Sequence, residues 1–153
     1  MLFKIRKTKK EDLSAVLTLI KELAKFEKEL NSVEINLEDL TNDFSDGLFD
    51  CLIAEKQGSI IGIALYYNRY STWKGKTIHL EDLIVTKSER GIGVGKALLN
   101  ELVLLAKSSN IRRVEWNVLD WNKKAIDFYE NVGATILKNW LVVQLDEKSI
   151  KRY

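Results

Sequence analysis

The sequence predicts a mixed α/β protein, a central sheet of mixed strand direction with helices on its faces. Three observations carry this reading. Segments with helical apolar spacing alternate with segments of two-residue alternation. Several strand-like segments follow one another in the middle of the chain. A glycine-rich turn separates a strand from a helix, which is how sheet and helix layers are joined.

Taken in order, Phe3 to Arg6 alternates like a strand. Thr8-Lys-Lys-Glu11 then fits a capping box, opening a helix with apolar positions at Leu13, Val16, Leu17, Ile20, Leu23 and Ala24. A second helix covers Leu37 to Phe44, with Asn36 as its cap. Cys51 to Lys56 and Ser59 to Tyr70 flank Gln57-Gly58, a hairpin signature. Thr77 to Thr86 is a further strand, and a helix follows from Lys96 to about Ser108. Arg113 to Leu119 reads as a strand, Asn122 to Asn131 as a helix, and Ile136 to Leu145 as a closing strand.

The chain has 153 residues, the size of a single domain spanning residues 1–153. It holds 24 Lys and Arg against 22 Asp and Glu, a net charge of +2, so no global charge bias points to nucleic acid. The longest apolar run, Ile60 to Tyr67, is far short of the roughly 18 residues of a membrane helix. The N-terminal MLFKIRKTKK carries charges where a signal peptide needs apolar residues, so the chain is expected to be cytoplasmic. With one cysteine, Cys51, and one histidine, His79, neither an internal disulfide nor a multi-cysteine zinc site is available. No metal is expected.

Three of the eight glycines fall in Arg90-Gly91-Ile92-Gly93-Val94-Gly95-Lys96, between a strand and a helix. Glycines there let backbone approach a ligand, and unpaired helix N–H groups face an anion, typically phosphate. A plain turn is the alternative. A Walker loop and a dinucleotide GxGxxG fingerprint both fail on spacing. The preceding strand reads Ile78-His79-Leu80-Glu81-Asp82-Leu83-Ile84-Val85. Period-two alternation sends Glu81 and Asp82 to opposite faces, so they are not expected to act as a pair on one atom. One carboxylate facing a cleft, or both as solvated edge residues, fits the pattern. A lone His79 supports no triad. On the helix after Asp120-Trp121-Asn122, residues Ala125, Ile126 and Tyr129 lie close to one face. By pattern alone Tyr129 is an ordinary half-buried aromatic.

These segments carry a family resemblance. SERGIGVGKALL after HLEDLIV resembles the acetyl-coenzyme A motif of the GCN5-related N-acetyltransferases (the GNAT superfamily), and WNKKAIDFYENVGA resembles their downstream helix. LIKELAKFEKEL, YYNRYSTWKGKTIHLEDLIV and VLDWN are similar to one branch, the diamine acetyltransferases and thialysine N-epsilon-acetyltransferases. YSTWKG and VLDWN lean toward the thialysine type.

The resemblance implies the GNAT fold, a twisted mixed sheet splayed at the acetyl-CoA site with helices on both faces. Pantetheine amides would pair with backbone at Leu83, Ile84 and Val85. Arg90, Gly91, Ile92, Gly93, Val94, Gly95 and Lys96 would hold the pyrophosphate, with Asn122, Lys123, Lys124, Ala125 and Tyr129 flanking the cofactor. Substrate positions of the family fall on Phe26, Glu27, Glu81, Asp82, Glu115, Trp116 and Asn117. The family works as a homodimer with its acceptor pocket near the subunit boundary.

The chemistry suits those residues. An alkyl amine, with a pKa near 10.4, arrives as an unreactive ammonium. Glu81 can hold that cation and accept its proton through water. The amine then attacks the thioester directly, a strand N–H stabilises the oxyanion, and Tyr129 donates to the leaving thiolate. Cys51 opens an apolar strand, which argues against an acyl-enzyme route. Ser71 and Thr72 stand where polyamine-type enzymes carry Asp-Pro, and Lys138-Asn139 replaces an acidic stretch before Trp140. These departures favour a thialysine-like amino acid or small diamine over a long polyamine. The competing functions are a protein or peptide amine acetyltransferase and a non-catalytic coenzyme A-binding regulator.

Overall fold

A computed structural model describes residues 2–153, and the chain divides into two compact units, one through Asn117 and one from Val118 to Tyr153. In the first unit, β1 (Lys4–Lys7) leads through a 3₁₀ turn at Lys10–Asp12 into α1 (Leu13–Phe26). Then come α2 (Leu37–Ser45), β2 (Asp50–Lys56), β3 (Ser59–Ser71), β4 (Gly75–Val85), α3 (Val94–Ser108) and β5 (Val114–Glu115). The five strands lie in sequence order; β1 to β4 are antiparallel and β5 runs parallel to β4. The expected mixed sheet is present.

Local chemistry explains most boundaries. Asn36 caps α2 by accepting from the Asp39 N–H at 3.0 Å, while the Asp39 carboxylate accepts from the Asn36 N–H at 3.0 Å. Gln57 and Gly58 both take positive φ, 50° and 79°, the turn whose twist matches a two-residue hairpin. The α1 entry box sits one residue later than expected. The Thr8 N–H is already bonded to the Cys51 carbonyl at 2.9 Å, and the Lys9 N–H donates to Asp12 at 2.7 Å instead. Asp12 also accepts two bonds from Arg6, at 2.7 and 2.9 Å, and Arg6 donates to Glu55 of β2 at 2.7 Å.

Each sheet face carries its own helical layer. On one, Leu13, Val16, Leu17 and Leu19 of α1 and Leu40 of α2 pack with Cys51, Ile53, Ile63, Leu65 and Ile84. Leu19 extends the predicted stripe because α2 lies against α1. On the other face α3 buries Val94, Leu98, Leu99, Leu102 and Ala106. Gly62 allows its close approach: a Cβ there would sit 2.9 Å from the Ile84 carbonyl and 3.2 Å from Leu98 and Val94.

Two expected strands differ. The one read from Arg113 to Leu119 contracts to Val114–Glu115, because only Ile78–Val114 and His79–Glu115 pair with β4. In the second unit, α4 (Lys123–Asn131) and α5 (Glu147–Ile150) form, but Ile136 to Leu145 is not a strand. Leu141 and Val143 there are 86% and 91% exposed. An alternating apolar pattern makes a strand only where an edge supplies ladder hydrogen bonds, and no described strand pairs with this segment.

Candidate active site

The register of β3 and β4 breaks at the two adjacent carboxylates. Asp82 pairs with Leu65, yet Tyr66 pairs with Leu80, so Glu81 is an extra residue bulged out of the ladder. The bulge corrects the expectation of opposite faces. Asp82 stands across from Leu65, a member of the α1-side cluster, and Glu81 reaches back to His79 on that same side. Both carboxylates therefore serve the α1 face, with the extra residue absorbing the alternation. Burial, then Glu81 and Glu27 nearby, push the Asp82 carboxyl up to about 7. Glu81 is the more exposed of the two.

Around Glu81 the neighbours are polar and aromatic. His79 Nε2 lies 3.4 Å from the Glu81 carboxylate, and the buried His79 ring stacks on Tyr67 with centroids 5.1 Å apart. Glu115, paired across from His79, is held by Arg69 and by Arg113 at 2.8 Å. Its charge is thereby matched within the protein. Trp116 is half-buried and Asn117 exposed, just beyond the end of β5.

The end of β4 has an open edge. Its pairing with β5 stops at His79, so from Leu80 to Val85 the edge away from β3 has no strand partner among the described residues. Leu83, Ile84 and Val85 lie on this stretch. The Val85 carbonyl is occupied by Arg90, whose Nε donates to it at 2.9 Å. Beyond β4, Gly91 and Gly93 take φ of 85° and 89°, which glycine adopts without strain. A Cβ at either would meet nothing within 4 Å, so the loop presents bare backbone to an incoming group. The first backbone bond into α3 is from the Ala97 N–H to the Gly93 carbonyl at 3.0 Å. The N–H groups of Val94, Gly95 and Lys96 therefore point out of the helix end. Together with Lys96 and the macrodipole of a 15-residue helix, these donors fit a diphosphate.

Phe26 and Glu27 end α1. Phe26 is partly exposed and carries the Arg90 guanidinium 5.6 Å from its ring centroid. Burial and then Glu29 raise the Glu27 carboxyl. The Cys51 thiol is buried and pushed up to about 12, which keeps it from acting as a thiolate.

In the second unit, Asn122 caps α4 by accepting from the Ala125 N–H at 3.3 Å. Lys123 and Lys124 are exposed on its first turn, Ala125 is half-buried, and Tyr129 is buried with Phe128 at 5.4 Å between ring centroids. Pattern reading missed Glu22, which bonds Thr86 and Lys87, because its partners lie more than 60 residues away. It also passed over Arg69 and set aside His79. The only available signal for His79 was its position two residues before Glu81 in an alternating strand.

Comparison with known proteins agrees with this geometry. Residues 16–134 match the acetyltransferase (GNAT) family. A thialysine N-epsilon-acetyltransferase from Mus musculus is 35% identical over 161 positions, covering 97% of this chain and 95% of that protein. The Sus scrofa protein of the same name is 40% identical, covering 85% and 82%. A spermidine/spermine N(1)-acetyltransferase-like protein from Homo sapiens is 37% identical over 90% of this chain, though over 21% of its own length. Among solved structures, an aminoglycoside acetyltransferase from a soil metagenomic sample superposes with TM-score 0.81, covering 95% of this chain and 96% of that one. At 18% identity that likeness speaks for the fold alone. The match over residues 16–134 and the identity with thialysine acetyltransferases over most of both chains show that the chain belongs to the acetyltransferase (GNAT) family, whose acetyltransferases use acetyl-CoA as co-substrate, in its thialysine and diamine branch.

Proposed function

We propose that the protein transfers an acetyl group from acetyl-CoA to a primary amine of a small molecule, by direct attack in a ternary complex. The acceptor class is a thialysine-like amino acid or a small diamine, with longer polyamines less favoured. The observation that carries this reading is the bulge at Glu81, which brings Glu81 and Asp82 to one face where β4 loses its second partner strand.

Acetyl-CoA supplies the acyl thioester. Gly91 to Lys96 hold its diphosphate by backbone N–H groups, and the free edge of Leu83 to Val85 takes the pantetheine arm. Arg90 keeps the Val85 carbonyl and Ile84 turns its own backbone groups to Ile63 of β3, which leaves Leu83 and the Val85 N–H as the main backbone partners. Glu81 holds the ammonium and accepts its proton through water, with His79 beside it. Glu27 and Asp82 add negative charge for a second cationic group, lined by Phe26, Trp116 and Asn117. Glu115, already held by two arginines, shapes the wall rather than binding the cation. The amine nitrogen forms its bond to the carbonyl carbon and loses its second proton to water, the C–S bond breaks, and Tyr129 gives its proton to the leaving thiolate and regains one from solvent. Asn122, Lys123, Lys124 and Ala125 flank the co-substrate. The whole chain acts as one acetyltransferase domain in a cytoplasmic homodimer.

Mass spectrometry of enzyme and amine after mixing with acetyl-CoA tests the direct route. An acetyl group on the amine nitrogen, with unmodified protein, supports it. An acetylated protein that accumulates without amine and is discharged by it overturns it.

A further inference from the structure

The turn between β4 and the glycine loop is fastened to α1 at two places. One carboxylate oxygen of Glu22 accepts from the Thr86 hydroxyl at 2.9 Å and the other from the Lys87 N–H at 2.9 Å. One helical turn further on, Phe26 lies under the Arg90 guanidinium at 5.6 Å, and Arg90 also donates to the Val85 carbonyl. Lys56 holds the turn from the far side through Glu89, at 2.7 Å. The loop that would carry the diphosphate and the helix end bearing Phe26 and Glu27 are thus joined without passing through the bound molecules.

We propose that Glu22 is a positioning residue that couples filling of the glycine loop to amine binding at the end of α1. The inference rests on the function proposed above. A diphosphate on the N–H groups of Gly91 to Lys96 fixes the loop. Through Thr86, Lys87 and Arg90 it also fixes the helix end where Phe26 and Glu27 stand. An amine that binds afterwards has less conformational freedom left to remove, so it binds more tightly. Linkage makes the effect mutual: the amine tightens coenzyme A by the same factor. Glu22 itself touches neither molecule.

The test is calorimetric affinity of the folded full chain for a small diamine, measured with and without saturating coenzyme A. Wild type is expected to bind the diamine about fivefold or more tighter with coenzyme A present. Glu22→Ala removes both bonds and should bring that ratio close to one. Glu22→Gln should restore it, because the amide oxygen accepts from Lys87 while the amide nitrogen donates to the Thr86 hydroxyl. Thr86→Val removes one bond, gives an intermediate ratio, and serves if Glu22→Ala does not fold. A role in folding alone would lower stability and leave the ratio unchanged. An unchanged ratio in Glu22→Ala or Thr86→Val overturns the proposal, and so does a wild-type ratio of one when both molecules bind. Wild type binding neither molecule overturns the proposed function and this inference together.

Discussion

Asp82 stands directly opposite Leu65 in the register of β3 and β4, a carboxyl group across from a residue of the main apolar cluster. That placement follows from the extra residue at Glu81, and it gives Asp82 a pH-dependent cost. In the unfolded chain the group titrates near 3.8, whereas in the fold it keeps its proton to about 7. Between those values the folded state binds the additional proton, so its stability falls as pH rises from 3.8 towards 7. Asp82→Asn removes the charge. Denaturant midpoints should show the variant gaining on wild type across this window, by at most about 4 kcal/mol at pH 8. A difference that does not change with pH would contradict the burial of this carboxyl.

The opposite sign applies to Asp12. Hydrogen bonding from the Arg6 guanidinium, outweighing burial, holds its carboxyl below the usual range. The stability it contributes is present above the unfolded pKa, near 3.8, and is lost as pH falls through the lower folded value. Asp12→Ala leaves Arg6 with Glu55 as its carboxylate partner and α1 without its entry bond, and should cost about 1–3 kcal/mol at pH 7. Thermal or chemical unfolding at pH 7 checks this; a loss within about 0.5 kcal/mol would contradict a stabilising role for these bonds.

At Gly93, φ of 89° makes any β-branched replacement strained although no side chain crowds the site. Gly93→Val should displace the N–H groups proposed to hold the diphosphate and abolish acetyl-CoA binding by calorimetry, with far-ultraviolet circular dichroism unchanged. Wild-type affinity in the folded variant would remove the loop from the co-substrate site.

Tyr129→Phe keeps the buried ring beside Phe128 and removes only the hydroxyl. Acid–base groups contribute about 10²- to 10⁴-fold, so kcat should fall within that range while acetyl-CoA affinity stays near wild type. Pre-steady-state and steady-state rates together check it. Turnover within about twofold of wild type would assign proton donation to another group.

What could be read in the sequence divides along the range of the interactions. The Gln57-Gly58 turn and the Asn36 cap were legible because their hydrogen bonds close within three residues. The glycine loop was legible from composition and its place between strand and helix. The bulge was not, because period-two alternation contains no signal for one added residue, and the opposite-face assignment of Glu81 and Asp82 failed there. Glu22 was hidden in an ordinary amphipathic helix until Thr86 came beside it. Ile136 to Leu145 carries strand composition, yet no described strand pairs with it, so its pattern misled.

The central claim is acetyl transfer to a small cationic amine with Glu81 as proton acceptor. Its most direct test is coenzyme A release from acetyl-CoA, measured side by side with thialysine, short diamines, spermine, a neutral amine of matched length and a lysine-containing peptide. Wild type, Glu27→Gln and Glu81→Gln would be run across pH. The expected result is highest kcat/KM for thialysine-like amino acids or short diamines, with Glu27→Gln mainly raising KM and Glu81→Gln also lowering kcat and changing its pH profile. A peptide preferred over every small amine, or wild-type kinetics in Glu81→Gln, would contradict it.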